Sequence, residues 1–205
     1  MMPPRDDATR ALVRLSARIA AASEAEVRAG CAECMDAEVP EPWVEEAILQ
    51  AYLFAGFPRA LNAAREWRRI SGVVAPTAEE LPLPDLDRWR ELGESTCAIV
   101  YGRFYGKLRR NIAALHPALD EWMIVEGYGK ILSRPGLDLP LRELCIVAAC
   151  VASGQDRQTH SHLHGALNAG STAAELGAAL DALDGVVDRD HLYRARLLLA
   201  RVVGK

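Results

Sequence analysis

A helical repeat of apolar residues runs through nearly all of the 205-residue chain, in segments rich in Ala, Leu, Arg and Glu. No segment shows the alternation of apolar and polar residues that is typical of a half-buried strand. Ser23-Glu-Ala-Glu26 and Thr172-Ala-Ala-Glu175 both have the form of a capping box and predict helix starts. The chain is therefore predicted to be all-α.

Glycine and proline mark the ends of these helices, because glycine permits left-handed conformations and proline cannot continue a helix. The segment from Gly72 to Asp87 contains Pro76, Pro82 and Pro84 and is predicted to be an extended connector. The helices are predicted at roughly 8–22, 24–37, 42–55, 58–70, 86–109, 117–132, 140–153, 156–169, 173–183 and 189–203.

A shift of 132 residues lays the first part of the chain on the last part without a gap, pairing Arg10 with Arg142 and apolar positions with apolar positions. Any two Ala-rich amphipathic helices would give some of these matches, so chance similarity remains an alternative. The pattern favours two tandem repeats, at 8–72 and 93–205, joined by a linker at 73–92.

The composition narrows the possible partners. The longest unbroken apolar run, 144–152, is far shorter than the roughly 20 residues that span a bilayer, and residues 1–7 lack the apolar region of a signal peptide. The net charge of -4 comes from interspersed acidic and basic residues, without the basic stripe that binding to nucleic acid requires. We therefore expect a cytoplasmic protein that engages neither membrane nor nucleic acid.

Five cysteines are an odd number, and in a reducing cytoplasm they are better interpreted as buried or reactive thiols than as a disulfide framework. Cys145 and Cys150 lie in an apolar segment and are predicted to be buried. Cys31-Ala-Glu-Cys34 has the spacing of a redox motif. Two cysteines one helical turn apart in an Ala-rich helix also serve for packing, so both interpretations stay open.

Most of the candidate chemistry lies in two consecutive predicted helices. Glu143 is early in one and His162 midway along the next, and the tight turn at 153–154 would let the helices pack side by side. A carboxylate beside an imidazole fixes the ring tautomer and raises its basicity, which suits a general acid or base near pH 7. The alternative is a structural carboxylate and an ordinary helix histidine.

His160 and His164 share one helix face at about 100° per residue, and His162 lies nearly opposite, so the three cannot converge on one ion. Asp156 is the only local candidate for a further ligand. We therefore predict no metal site and interpret His160 and His164 as a solvated or interfacial pair.

These residues resemble the carboxymuconolactone decarboxylase and AhpD-like superfamily, whose peroxidase branch carries Glu followed by Cys-x-x-Cys-x-x-x-His. Glu143 and His162 fall on the Glu and the His, whereas Gln155 and Gln158 fall on the two cysteines. The resemblance implies an AhpD-like helical fold in tandem repeats that keeps an acid–base pair and lacks the disulfide chemistry. Under the 132-residue shift the first repeat has no equivalent pair, so its role is expected to be structural.

The decarboxylase branch does not depend on the paired cysteines. The resemblance therefore implies a cofactor-independent, lyase-type enzyme acting on a small carboxylated lactone or ring acid. His162 would deliver or remove a proton and Glu143 would orient it. Arg134 or Arg142 would neutralise the substrate carboxylate, although either residue would equally serve as a structural ion pair.

Gln155, Gln158 and Tyr128 complete the predicted substrate-binding set. Tyr128 belongs to a group of aromatic residues that are core or pocket lining, with Tyr101, Phe104, Tyr105 and Trp122. Two other functions stay open: a thiol-dependent peroxidase using Cys31 or Cys34, and a non-catalytic binding or oligomerisation module. Because members of the superfamily commonly form rings of single repeats, the resemblance also implies a homo-oligomer, expected to be a dimer or trimer.

Overall fold

The computed structural model describes residues 5–77 and 83–204. These residues form eleven α-helices, one 3-10 turn and one π-helix, with no β-strand among them, so the predicted all-α class is confirmed. The elements are α1 (Arg5–Ala21), α2 (Glu24–Asp36), α3 (Glu41–Ala55), α4 (Phe57–Ser71), α5 (Leu86–Tyr101), the 3-10 turn (Gly102–Phe104), α6 (Tyr105–Leu115), α7 (Pro117–Trp122), the π-helix (Met123–Leu132), α8 (Leu139–Ala152), α9 (Asp156–Ala169), α10 (Ala173–Ala182) and α11 (Arg189–Val203).

Both predicted capping boxes are present. The Ser23 side chain accepts a hydrogen bond from the Glu26 backbone N–H at the start of α2, and Thr172 does the same for Glu175 at the start of α10. In each box the glutamate side chain accepts in return from the backbone N–H of the capping residue, at 2.9 Å for α2 and 2.7 Å for α10. Local chemistry alone therefore fixes where these helices begin.

Two predicted helices differ from the structure. The helix predicted at 86–109 is interrupted because Gly102 takes a φ of +49°, a left-handed value that ends α5 and precedes the 3-10 turn. The helix predicted at 117–132 is α7 followed directly by the π-helix. In the predicted connector, Pro76 and Pro84 lie in non-helical backbone, and Pro82 falls outside the described residues.

Helix α8 forms the centre of the fold. Every residue from Leu141 to Ala152 is buried, and apart from Arg142 and Glu143 all of them are apolar, which is expected for a helix in the core. It packs against α1 from the first part of the chain and against α9 from its own part. Among the described residues no helix combines the length and apolar character that crossing a bilayer requires.

Helix α5 and the π-helix approach each other backbone to backbone. A Cβ atom at Gly129 would collide with the Trp89 carbonyl oxygen, and one at Gly93 would collide with the Ile124 carbonyl oxygen. Any larger residue at either position would push the two elements apart. This close contact fixes the position of Tyr128, next to Gly129, and of Tyr101 at the end of α5.

The helix bounds follow the 132-residue shift. Helices α2, α3 and α4 begin at residues 24, 41 and 57, and α9, α10 and α11 begin at 156, 173 and 189. The shift carries each start in the first set onto one in the second, and α1 and α8, which lead the two sets, pack against each other. These bounds support the predicted tandem repeat. The repeat and its limits at 8–72, 73–92 and 93–205 stay predictions.

Candidate active site

The carboxylate of Glu143 meets the imidazole of His162 in the interior of the protein. Asp138 caps α8 by accepting from the Leu141 backbone N–H, which places Glu143 in the first turns of that helix. The turn through Gly154, with a φ of +66°, then folds α9 back against α8. His162 Nδ1 lies 2.8 Å from Glu143 Oε2, so the predicted contact is confirmed.

Both partners are shielded from solvent. Glu143 is fully buried and His162 is 6% exposed. The second carboxylate oxygen, Glu143 Oε1, is also buried and has no hydrogen-bond partner among the described residues. A buried polar atom without a partner is unfavourable for folding, and a catalytic role is one explanation for keeping such an atom.

Gly165 makes room for this carboxylate. It lies on α9 one turn after His162, and a Cβ atom there would stand 2.6 Å from Glu143 Oε2 and 2.7 Å from Val100 Cγ1. Even alanine would therefore displace the carboxylate or α5. The glycine allows α5, α8 and α9 to converge on Glu143.

Two tyrosines lie near Glu143. The pKa of Tyr101 is raised to about 12, mainly by burial; the hydrogen bond with the Tyr128 hydroxyl opposes the rise, and the negative charge of Glu143 contributes to it. Burial also raises the pKa of Tyr128 well above its usual value, with the Tyr101 and Glu143 charges acting in the same direction. The ring centroids are 6.2 Å apart. Both hydroxyls therefore stay protonated at neutral pH and can donate hydrogen bonds.

His162 opens onto a cavity of about 730 Å³, called the first cavity below. It lies between α3, α6, α7, the π-helix and α9, and its size is within the usual range for small-molecule sites. Most of its wall is apolar or aromatic, including Leu53, Phe54, Leu108, Ile112, Trp122 and Met123. Its polar lining is limited and includes Tyr101, Tyr128, Gln158 and Ser161.

Two charged residues lie at the edge of the first cavity. Glu126 already accepts from the Tyr52 hydroxyl and from Lys130, both at 3.3 Å. Arg157 is exposed and has no ion-pair partner within the described ranges. Arg157 is therefore a cation of this cavity that is available to an anionic ligand.

Arg134 and Arg142 do not line this cavity but form ion pairs, the alternative that the sequence left open for them. Arg142 is fully buried, and its guanidinium donates to Glu46 Oε2 at 2.8 Å and to the Arg134 carbonyl at 2.9 Å. Arg134 donates to the same Glu46 carboxylate at 3.0 Å. Both guanidinium groups are used to neutralise Glu46 in α3, so neither is free to hold a substrate.

Two of the other three predicted binding residues lie at the first cavity and one does not. Gln158 and Tyr128 line the first cavity. Gln155 is exposed at the start of α9 and does not line it. The structure thus brings Glu143, His162, Gln158 and Tyr128 together, while their chemical roles stay predictions.

All five cysteines are buried free thiols. Burial is the main reason why the pKa of Cys31 is raised to about 11, and burial raises the pKa of Cys34 still further. Both residues are in α2, which packs mainly on α1 and α4, and neither lines the first cavity. Neither thiol forms a substantial thiolate fraction at neutral pH, and neither lies at the His162 site.

His160 and His164 lie on the far side of α9 from Glu143, with ring centroids 4.9 Å apart. Asp156, the predicted candidate for a further ligand, instead pairs with Arg194 at 2.9 Å. In the part of the chain that the structure describes, no three His, Cys, Asp or Glu residues are grouped so that they could hold a metal ion.

Sequence reasoning missed two residues of this site. Arg157 stands between Gln155 and Gln158 in the motif itself, and its position five residues before His162 on α9 was a usable signal. Phe54, in α3, packs edge-on against the His162 ring at 5.6 Å. No local signal marked Phe54, because its contact with α9 depends on the tertiary fold.

Comparison with known proteins agrees with the resemblance seen in the motif. Residues 117–196, which include Glu143 and His162, match the model of the Carboxymuconolactone decarboxylase family. The chain is also similar to Peroxisomal protein 2 of Schizosaccharomyces pombe, with 29% identity over 142 residues. That alignment covers 67% of this chain and 65% of the relative, so it spans just under two thirds of the relative's length.

Proposed function

We propose that this chain is a cofactor-independent enzyme of the carboxymuconolactone decarboxylase type, acting on a small carboxylated lactone or ring acid. The match of residues 117–196 to that family's model supports the proposal. Glu143 and His162 supply the acid–base chemistry. The observation that carries the proposal is the 2.8 Å contact between His162 Nδ1 and Glu143 Oε2 at the wall of a mainly apolar cavity.

The contact with Glu143 assigns different tasks to the two imidazole nitrogens. When Nδ1 donates its proton to the carboxylate, Nε2 is the nitrogen that can gain or lose a proton. The carboxylate also stabilises the imidazolium that forms when Nε2 is protonated. His162 can therefore act at Nε2 as either a general base or a general acid.

In a decarboxylation, the bond between the carboxylate carbon of the substrate and the adjacent ring carbon breaks, and carbon dioxide leaves. The electron pair of that bond passes into the conjugated carbonyl and forms an enolate. Protonated His162 then delivers its Nε2 proton to carbon, and one proton from water restores the imidazolium. The Tyr101 hydroxyl, which stays protonated at neutral pH, can donate a hydrogen bond to the enolate oxygen.

Arg157 takes the binding task that the sequence had suggested for Arg134 or Arg142. Its guanidinium lines the first cavity and carries no ion pair within residues 5–77 and 83–204, so it can hold a substrate carboxylate in a charge-assisted hydrogen bond. Gln158, one residue further along α9, can add an amide contact.

The two alternative functions have less support. A thiol peroxidase needs an accessible thiolate, whereas Gln155 and Gln158 stand at the motif's cysteine positions and Cys31 and Cys34 are buried with raised pKa values. A purely structural module would not need an open cavity beside a buried acid–base pair. The S. pombe relative is named as a peroxisomal protein, and a cytoplasmic location stays our prediction for this chain.

The test is to measure carbon dioxide release from carboxymuconolactone, together with solvent deuterium exchange into a panel of unsaturated lactone acids followed by NMR. We expect Glu143→Gln and His162→Gln to lower the rate by roughly 10²- to 10⁴-fold, the usual contribution of general acid–base catalysis. Gln155→Ala is the control, since that residue lies in the motif but away from the cavity. Equal rates in the two variants and the unaltered protein would overturn the proposal.

A further inference from the structure

A second cavity, of about 700 Å³, lies between α5, the 3-10 turn, α6 and α9. It shares Tyr101, Leu108 and Ser161 with the first cavity and is otherwise lined by different residues. His162 is not among them. The second cavity therefore adjoins the proposed active site, with Tyr101 between them, but lacks its histidine.

The charged residues of the second cavity are all potential cations. Arg103 and Lys107 line one wall, and His160 and His164 line the opposite wall. None of its lining residues carries a carboxylate. The first cavity differs, because Glu126 lies at its edge.

Arg103 and Lys107 are not compensated by acidic neighbours. Neither residue has an ion-pair partner in the described parts of the chain, although Arg103 lies over the Phe104 ring at 4.9 Å. They stand four residues apart around the start of α6, a spacing that brings like charges close together. The N-terminal end of a helix is also the end that disfavours cations and favours anions. A bound anion would relieve both unfavourable effects.

The opposite wall carries two imidazole groups. The His160 and His164 rings are 4.9 Å apart at 82°, so two imidazole groups line the same space. Neutral imidazole carries one N–H donor and protonated imidazole carries two. Asn111 adds an amide nearby, whereas the Asn168 amide already donates to the Val100 carbonyl at 2.8 Å.

The remaining wall is apolar. Val100, Leu108 and the Phe104 ring line the cavity beside these polar groups. Phe104 is 52% exposed, so its ring is accessible to a ligand that enters from solvent. The site therefore combines cations and donors with a surface for an aromatic or aliphatic group.

We propose that the second cavity binds an anionic ligand, in which a carboxylate or phosphate is attached to an apolar group. The anion lies between Arg103 and Lys107 on one side and the His160–His164 pair on the other, and the apolar group packs on Phe104 and Leu108. This site goes beyond the proposed function, because it does not require Glu143 or His162 to be catalytic.

The test uses the intact protein and three probes of similar shape: phenyl phosphate, benzoate and benzyl alcohol. Titration calorimetry at low salt is expected to show that both anions bind at least tenfold more tightly than the neutral alcohol. Added salt should weaken the binding of the anions and leave that of the alcohol unchanged. The ring resonances of His160 should shift on binding. Equal affinity for the alcohol and the anions would overturn the proposal.

Variants then locate the site. Arg103→Gln combined with Lys107→Gln should weaken the binding of phenyl phosphate at least tenfold. Arg110→Gln should not, because Arg110 is exposed on α6 and does not line the cavity. All three positions are exposed, so the variants should keep the unaltered melting temperature. Arg157→Gln serves as the second control. Binding that is lost in Arg157→Gln but kept in the double variant would place the probe in the first cavity and overturn the proposal.

Failure here is distinguishable from failure of the proposed function. Loss of phenyl phosphate binding is measured without turnover, and carbon dioxide release is measured with Arg103 and Lys107 intact. Anion binding in His162→Gln that equals binding in the unaltered protein would support two independent sites. An affinity too weak to saturate at millimolar phenyl phosphate in every protein would overturn the second site and leave the acid–base proposal unaffected.

Discussion

The ring of Phe54 lies edge-on to the ring of His162, with 5.6 Å between the centroids and 85° between the planes. Phe54 belongs to α3, in the first part of the chain, and His162 belongs to α9. Glu143 holds one edge of the imidazole and Phe54 packs against it from another direction. The orientation of the histidine therefore depends on Phe54, which is 89 positions earlier in the chain than Glu143, as well as on Glu143 itself.

We expect Phe54→Leu to lower kcat by roughly tenfold, because a ring that is less constrained spends less time in the reactive orientation. KM should change little. Phe57→Leu is the matched control, since Phe57 is 63% exposed and stacks on Tyr52 without contacting the histidine. Steady-state kinetics of both variants checks this, and an equal kcat in the two would show that Phe54 does not position His162.

Arg157→Gln should raise KM by about tenfold or more with a smaller change in kcat, because the loss of a charge-assisted hydrogen bond weakens substrate binding by about 1.5–3 kcal/mol. Arg134→Gln is the contrasting variant. It should leave KM unchanged and lower the free energy of unfolding by about 1–3 kcal/mol, since it removes hydrogen bonds to the buried Glu46. Urea denaturation measures the second effect. A raised KM in Arg134→Gln together with an unchanged KM in Arg157→Gln would instead identify Arg134 as the binding residue.

The protein should show negligible peroxidase turnover with dithiol reductants, because Gln155 and Gln158 form neither a thiolate nor a disulfide. The five thiols should react slowly with a disulfide reagent in the native protein at pH 7. Burial raises the pKa of Cys31 to about 11, so reaction should accelerate only at strongly alkaline pH or on unfolding. Robust peroxidase activity that disappears in Cys31→Ser or Cys34→Ser would favour the thiol mechanism.

Gly165→Ala should lower both stability and turnover. The new methyl group would stand 2.6 Å from Glu143 Oε2, and such overpacking typically costs about 1–3 kcal/mol. Gly177→Ala is the matched control on α10, because nothing lies within 4 Å of its added Cβ. That control should stabilise the protein by about 0.4–1 kcal/mol. Melting temperatures moving in the same direction for both variants would contradict the packing argument.

We expect the 22.4 kDa chain to form a dimer or trimer in solution. Apolar side chains of α6 and α7 remain exposed, with Leu115 at 74% and Trp122 at 60%, and symmetric association is the usual way to cover such a surface. Sedimentation velocity at micromolar concentrations checks this. A single species near the mass of one chain would refute the prediction.

Local signals in the sequence were sufficient for most helix starts and for the central contact of the site. The capping boxes at Ser23 and Thr172 mark α2 and α10, because the hydrogen bonds involved span only three residues. The contact between Glu143 and His162 follows from two helices joined by a tight turn. In both cases the partners are close in the chain, so pattern and spacing determine the geometry.

Long-range packing could not be predicted in the same way. The sequence left open whether Arg142 binds a substrate carboxylate or forms a structural ion pair, because its partner Glu46 is 96 residues away. The break at Gly102 was missed because a single glycine is often tolerated within a helix. The π-helix has the apolar pattern of an ordinary helix, and its backbone contact with α5 through Gly93 and Gly129 exists only in the folded chain.

The cluster of Arg142, Glu46 and Arg134 has a practical consequence for anyone who isolates the matched region. A fragment cut near residue 117 would retain Glu143 and His162 but lose α3, and with it the only carboxylate that contacts the Arg142 guanidinium among the described residues. Removing one partner of a buried ion pair typically costs about 3–5 kcal/mol, which is a large part of the stability of a small domain. The excised fragment should therefore be poorly soluble, and co-expression with residues 1–116, which restore α3 and also α5, should rescue it.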